Sequence, residues 1–274
     1  ALAEHFGAIE GASIDANKGA YSSAWMIIFG VIAAIMVLIG IYHIKMLPST
    51  QIPSTTKKTA SEVGHELVAV IANFFTKKHI LYYICFIILY RLAEGFIMKI
   101  APLFLRASRD VGGLGLSLTE IGTLNGIFGS AAFVLGSLLA GIYVSKFGLK
   151  KTLFTLCCIF NLPFVAYTFL AVTQPTNVYL IGTCITMEYF GYGFGFVGLT
   201  LFMMQQIAPG KHQMSHYAFA SGIMNLGVML PGMVSGYFSD LLGYRNFFIY
   251  VLIATIPAFL ITYFIPFTYD DSKK

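Results

Sequence analysis

ILYYICFIILYRLAEGFIMKIAPL, running from Ile80 to Leu103, decides the fold. A helix needs about 20 apolar residues to cross a hydrocarbon core about 30 Å thick, and this run is long enough. Yet it carries Arg91 and Glu94 one helical turn apart near its centre. At about 1.5 Å per residue, Arg91 lies roughly 16 Å and Glu94 roughly 21 Å from the Ile80 end, too deep for either side chain to reach water easily. Each ionised group at that depth costs about 2.5 to 3.5 kcal/mol on insertion scales, so a purely structural helix would carry Leu or Phe there. The pair therefore points to a polar species moving through a membrane. Lys99 lies about 28 Å along, where its stem reaches the far interface, and anchoring is an equal reading for it.

The rest of the chain agrees with that reading. Hydrophobic residues make up 57% of the 274 and charged residues 11%, against about 25% charged in a soluble domain. Mean hydropathy is +0.78. Apolar spans fall at 22–44, 80–103, 120–144, 152–173, 178–204, 216–237 and 247–267, so an all-α integral membrane protein with seven transmembrane helices is expected. Partitioned between alternating loops, Lys45, Lys57, Lys58, Lys77, Lys78, Lys146, Lys150, Lys151, Lys211, Lys273 and Lys274 fall on one side. Lys18, Arg106, Arg109 and Arg245 fall on the other. The lysine-rich side is expected to be cytoplasmic, which puts the N-terminus outside and the C-terminus inside. The net charge of +5 then reflects topology and gives no reason to expect nucleic acid as a partner.

Cys85, Cys157, Cys158 and Cys184 all fall inside apolar spans without metal-type spacing, and free core thiols are expected. GYGFGFVG, at 191–198, contains the pattern GxGxxG, but no strand precedes it and small-residue helix packing is the better reading. Neither a metal nor a cofactor is expected. Gly126, Gly129, Ser130, Gly136, Ser137 and Gly141 read as another close-packing helix face, and His212 and His216 as a solvated loop edge near Lys211. Ala60 to Phe75 has the spacing of an amphipathic helix, lying on the membrane surface or against the bundle.

Five segments, in order, carry a resemblance: YRLAEGF at 90–96, GLGLSLTEIG at 113–122, MEYFGYGFGFVGLTLFMM at 187–204, SHYAFASG at 215–222 and SGYFSDLLGYRNFF at 235–248. Together they resemble the second half of an AmpG-type muropeptide permease. That branch of the major facilitator superfamily also holds acetyl-coenzyme A transporters. GIYVSKFGLKK at 141–151 is similar to the loop motif of the superfamily: Gly141, Lys146, Gly148, Lys150 and Lys151 fit, while Ser145 stands where the family has an acid.

The resemblance implies a twelve-helix transporter of which this chain is a fragment without helices one to five, an expectation the absence of an initiating Met supports. Residues 1–44 would end the N-terminal bundle, 45–79 form a cytoplasmic linker, 80–267 the six-helix C-terminal bundle and 268–274 a cytoplasmic tail. It also implies proton-driven import of muropeptides, N-acetylglucosamine linked to anhydro-N-acetylmuramic acid, across a bacterial inner membrane. The expected partners are the small-molecule substrate, protons, the lipid bilayer and the missing N-terminal bundle. A permease for another anionic solute or an oligosaccharide stands as the alternative. A seven-helix receptor or an intramembrane enzyme fits less well, since no metal motif or nucleophile array lies in the spans.

Transporters of this kind bind near the midplane, so polar residues at that depth are the candidates. Glu188, Asn161 and Asn225 each fall about 14 to 15 Å along their own spans, level with Arg91. Arg91, whose planar fork suits a carboxylate, is expected to bind substrate, with Asn161, Tyr192 and Asn225 beside it. Tyr189 and Tyr192 flank the acid and either stack on a sugar ring or pack in the core. Glu188 is expected to carry a proton, with Glu94 next in line. A static carboxyl bonded to a neighbouring helix is the competing reading of each, and Arg91 one turn away favours it for Glu94.

Overall fold

Local sequence sets the ends of several helices in the structure, a computed structural model that describes residues 2–9, 15–46 and 59–269. Ser117 opens α6 (Leu118–Thr123) with a reciprocal cap: its hydroxyl accepts from the Glu120 amide at 3.2 Å, and the Glu120 carboxylate accepts from the Ser117 amide at 2.8 Å. Asn177 opens α10 (Val178–Phe202), its side-chain oxygen accepting from the Tyr179 amide at 2.9 Å. Gly148 turns the chain between α7 (Ser130–Phe147) and α8 (Leu149–Asn161) at φ 79°, where a side chain would be strained.

The remaining helices are α1 (Leu2–His5), α2 (Lys18–Met46), α3 (Ala60–Phe75), α4 (Ile80–Tyr90), α5 (Leu92–Arg106), α9 (Phe164–Thr173), α11 (Gln213–Ala254) and α12 (Ile256–Tyr263). Two wider π-helical turns interrupt the α pattern, Leu124–Gly129 between α6 and α7 and Met203–Ile207 after α10. No strand occurs among the described residues. That leaves GYGFGFVG inside one helix, away from any dinucleotide-binding unit.

Five helical stretches among the described residues are long and apolar enough to cross a membrane: Lys18–Met46, Ile80–Arg106, Leu118–Phe147, Leu149–Thr173 and Gln213–Tyr263. The difference from the seven expected has two physical sources. Gln213–Tyr263 runs for 51 residues, but the backbone leaves the helical region at Gly243, where φ is 68° and ψ 161°. Val178–Phe202 has 25 residues, about 37 Å of helix. It is less apolar than the others because it carries Glu188, three tyrosines and five glycines.

The chain divides into two units, residues 1–59 and 60–274. In the first, α2 is apolar on every side and only Ala24 of it is buried, the surface of a helix that belongs among lipid or other helices. In the second, two aromatic-rich cores are stacked along the helices. Phe74, Phe86, Tyr90, Phe160 and Phe202 centre one. Phe96, Phe104, Tyr167, Phe247 and Phe248 centre the other. Tyr90 belongs to the first and Ala93 to the second, so Arg91 sits at the seam.

Glycines let α10 approach its neighbours closely. A Cβ at Gly193 would collide with the Phe133 carbonyl on α7, and one at Gly191 or Gly195 would strike Ile159, Pro163 or Phe160 beside α8. On α7, Gly136 lies against the Phe190 carbonyl. In the preceding π turn, Gly129 lies against the Tyr189 ring, 3.0 Å from where its Cβ would stand. Ser137 adds a hydrogen bond to the Gly193 carbonyl at 3.2 Å. Gly126 and Gly141 do not share this role: a Cβ at either would meet no described atom within 4 Å. Ser130 is exposed.

His216 also departs from expectation. It is fully buried, ring against ring with Phe74 at 5.7 Å, because α3 packs over the start of α11. Of the lysines that set the expected topology, Lys57, Lys58, Lys273 and Lys274 lie outside the described residues, as do parts of the linker and tail.

Candidate functional site

The helix expected to run unbroken through Arg91 breaks there. Arg91 takes φ −102° and ψ 5°, ending α4 and preceding α5. Glu94, in the first turn of α5, faces it. The guanidinium donates twice to the carboxylate, Nε to Oε2 at 2.6 Å and Nη2 to Oε1, in the fork geometry of an arginine–carboxylate pair. Both residues are buried, 4% and 5% exposed. The Phe196 ring lies 5.4 Å from the guanidinium carbon, and Tyr192 interacts with both members of the pair.

Glu188 approaches from α10. It is half-buried and near enough to Glu94 for their charges to interact. The two carboxylates line a single cavity of about 150 Å³ together with Asn125, Tyr167, Tyr189 and Tyr192. Apolar side chains of α5, among them Ile97 and Pro102, close one wall. Two carboxylates lining one small cavity repel when both are ionised, so such a site favours holding a proton or a cationic group. Arg91 does not itself line the cavity; its fork is taken up by Glu94, which does.

Asn125 had no place among the candidates read from the sequence. It lies in the π turn Leu124–Gly129, and its side-chain oxygen is buried without a hydrogen-bond partner. A buried amide oxygen left open in a cavity wall is a ready acceptor for a ligand N–H or O–H. The asparagine lies only about 8 Å inside its own span, which removed it from a search by depth. Tyr167 escaped the same search because a tyrosine in an apolar helix reads as core.

Asn161 and Asn225 do not join this cavity. Asn161 is buried in α8, where its amide donates to the Cys157 carbonyl at 3.0 Å, and Asn225 is exposed on α11. Lys99 is exposed. In the loop at 141–151, the Ser145 hydroxyl donates to the Ile142 carbonyl one turn back at 2.9 Å, so it closes its own helix end and caps no neighbour. Lys146 lies 5.4 Å from the Phe147 ring, and Lys150 and Lys151 are exposed at the start of α8. No group of three potential metal-binding side chains occurs among the described residues.

No family model matches the chain. Among curated proteins, the anhydromuropeptide permease of Escherichia coli K12 is 22% identical over 209 residues, which cover 76% of this chain and 41% of that protein. A transporter named AmpG 1 from Rickettsia bellii is 25% identical over 232 residues, 83% of this chain and 53% of its own length. AmpG 2 from Rickettsia prowazekii is 24% identical over 206 residues, covering 73% and 47%. The chain thus spans about half the length of the curated relatives it matches. These relatives are named as permeases and transporters, not enzymes. With its apolar helices and a match of this extent, the chain is a multi-pass membrane protein related to the AmpG-type permeases.

Proposed function

We propose that the chain forms the C-terminal portion of a proton-coupled secondary transporter of the major facilitator type, importing muropeptides or related amino-sugar conjugates across a bacterial inner membrane. One observation carries the reading: Glu94 and Glu188, from different helices, line the same cavity, with an arginine fork held by one of them. The relatives' names supply the substrate class. Residues 80–267 act as the six-helix bundle in this reading, with α11 divided at Gly243 and α10 counted as a crossing.

In this mechanism Arg91 is held by Glu94 until a substrate carboxylate competes for the fork. Releasing Glu94 from its cation raises its proton affinity, and the close approach to Glu188 means that the pair carries one proton more readily than two charges. Substrate entry and proton uptake are thereby linked through a shared arginine. Rocking of this bundle against a second one then exposes the loaded site to the other side.

Glu188→Gln in the full transporter tests the coupling, since the amide keeps shape and hydrogen bonding but cannot titrate. Uptake driven by a pH gradient should fall to the level without a gradient, while exchange of labelled for unlabelled muropeptide in the same vesicles persists. Accumulation equal to that of the unmodified protein would make Glu188 structural. A transporter that exchanges other anions but no muropeptide would shift the assignment to the broader class of anionic solutes.

The orientation is tested by single cysteines at Ser145 and Ser108, both exposed. An impermeant thiol reagent added to intact cells should modify position 108 and spare position 145. The opposite pattern would invert the topology drawn from the lysine and arginine distribution.

A further inference from the structure

The linker helix α3 divides into three faces. At about 100° per residue, Val70 and Phe74 occupy an arc of about 40°. They are 6% and 1% exposed and pack against the bundle. The next arc, about 100° wide, carries Leu67, Ile71, Phe75 and Val68. These are 57%, 43%, 55% and 67% exposed, an apolar face that nothing in the described chain covers. Ser61, Glu62, His65, Glu66 and Asn73 fill the remainder, with only Ala69 and Ala72 among them. A helix in water with one docked face would place polar residues over both other faces. This one is polar over only one of them.

Three contacts fix the level at which α3 sits. Its last residue, Phe75, lies five positions before Ile80, where the chain enters α4. The Lys77 ammonium donates to the Ile207 and Pro209 carbonyls, at the end of the long helical run that begins as α10. His216, in the first turn of α11, meets the Val70 carbonyl at 3.3 Å. So α3 is held level with the start of α4, the end of the helical run that begins as α10 and the start of α11. Lys78, exposed beside it, suits anionic lipid headgroups.

We propose that α3 lies in the headgroup boundary of the bilayer, with Leu67, Val68, Ile71 and Phe75 seated on acyl chains, Val70 and Phe74 on the bundle and the polar arc in water. The linker is then a lipid-supported strut bearing on the start of α11 through His216, where a free tether would transmit nothing. The inference depends on α4 crossing the membrane and is independent of what the protein carries.

The chain has one tryptophan, Trp25. Trp25→Phe combined in turn with Leu67→Trp, Ile71→Trp and His65→Trp, in nanodiscs containing anionic lipid, gives each face its own reporter. Leu67→Trp and Ile71→Trp should emit at shorter wavelength and lose most of their emission to lipids brominated near the headgroup. His65→Trp should instead be quenched by acrylamide from the water. If positions 67 and 71 are quenched by acrylamide and not by bromolipid, the face is in water and the proposal fails. If they are shielded from both quenchers, a protein surface covers the face and the lipid assignment is equally overturned.

Discussion

Glu94→Leu should destabilise this chain by about 3 to 5 kcal/mol, measured by equilibrium unfolding in mixed micelles, because it leaves the Arg91 guanidinium buried without its counter-charge. Arg91 is 4% exposed and its guanidinium donates twice to the Glu94 carboxylate. Arg91→Leu combined with Glu94→Leu should recover much of that loss, since the double variant has no charge left to desolvate. The non-additivity is the informative quantity. An ion pair in contact with water is worth only about 0 to 1 kcal/mol. A loss of that size for Glu94→Leu would show that water reaches the pair and that the seam between the two cores is open. The transport mechanism makes the same demand, since an arginine held this tightly is released only by a group that replaces the carboxylate.

Gly193→Leu should cost about 3 kcal/mol or more and loosen the packing of α10 on α7, at the upper end for overpacking. The size follows from what the added Cβ meets. At Gly193 it is the Phe133 backbone, its carbonyl oxygen and carbon, which cannot swing aside as a side chain can. Gly222→Ala is the control. A Cβ there meets nothing within 4 Å, and replacing a helical glycine should raise stability by about 0.5 to 1 kcal/mol. If both substitutions act alike, the glycines of α10 are serving some purpose other than close approach. Because Glu188 lies three residues before Gly191 and five before Gly193 on the same helix, any shift of α10 should also move the carboxylate away from Glu94.

The sequence by itself pointed to a chain that crosses a membrane, set an expected depth for each residue, and made Arg91, Glu94 and Glu188 expensive at those depths. Hydropathy is a sum over neighbours, and depth follows from a fixed rise per residue, so both can be read along one dimension. Which deep residues face one another depends on the angle of each side chain about its helix axis and on the packing of one helix against the next. Depth alone gave Asn161, Asn225 and Glu188 equal standing. The tertiary structure brought Glu188 to Glu94, turned Asn161 back onto Cys157 and left Asn225 outside.

Asn125 and His216 show the same limit. A π turn adds a residue to the helical repeat and rotates everything after it by about 100°, so the face presented at Asn125 cannot be extrapolated from the spacing along α6 and α7. His216 lies beside a basic loop and reads as solvated until α3 is placed over it. The cavity and the buried histidine are products of contacts between segments far apart in sequence, and only the tertiary structure sets those contacts.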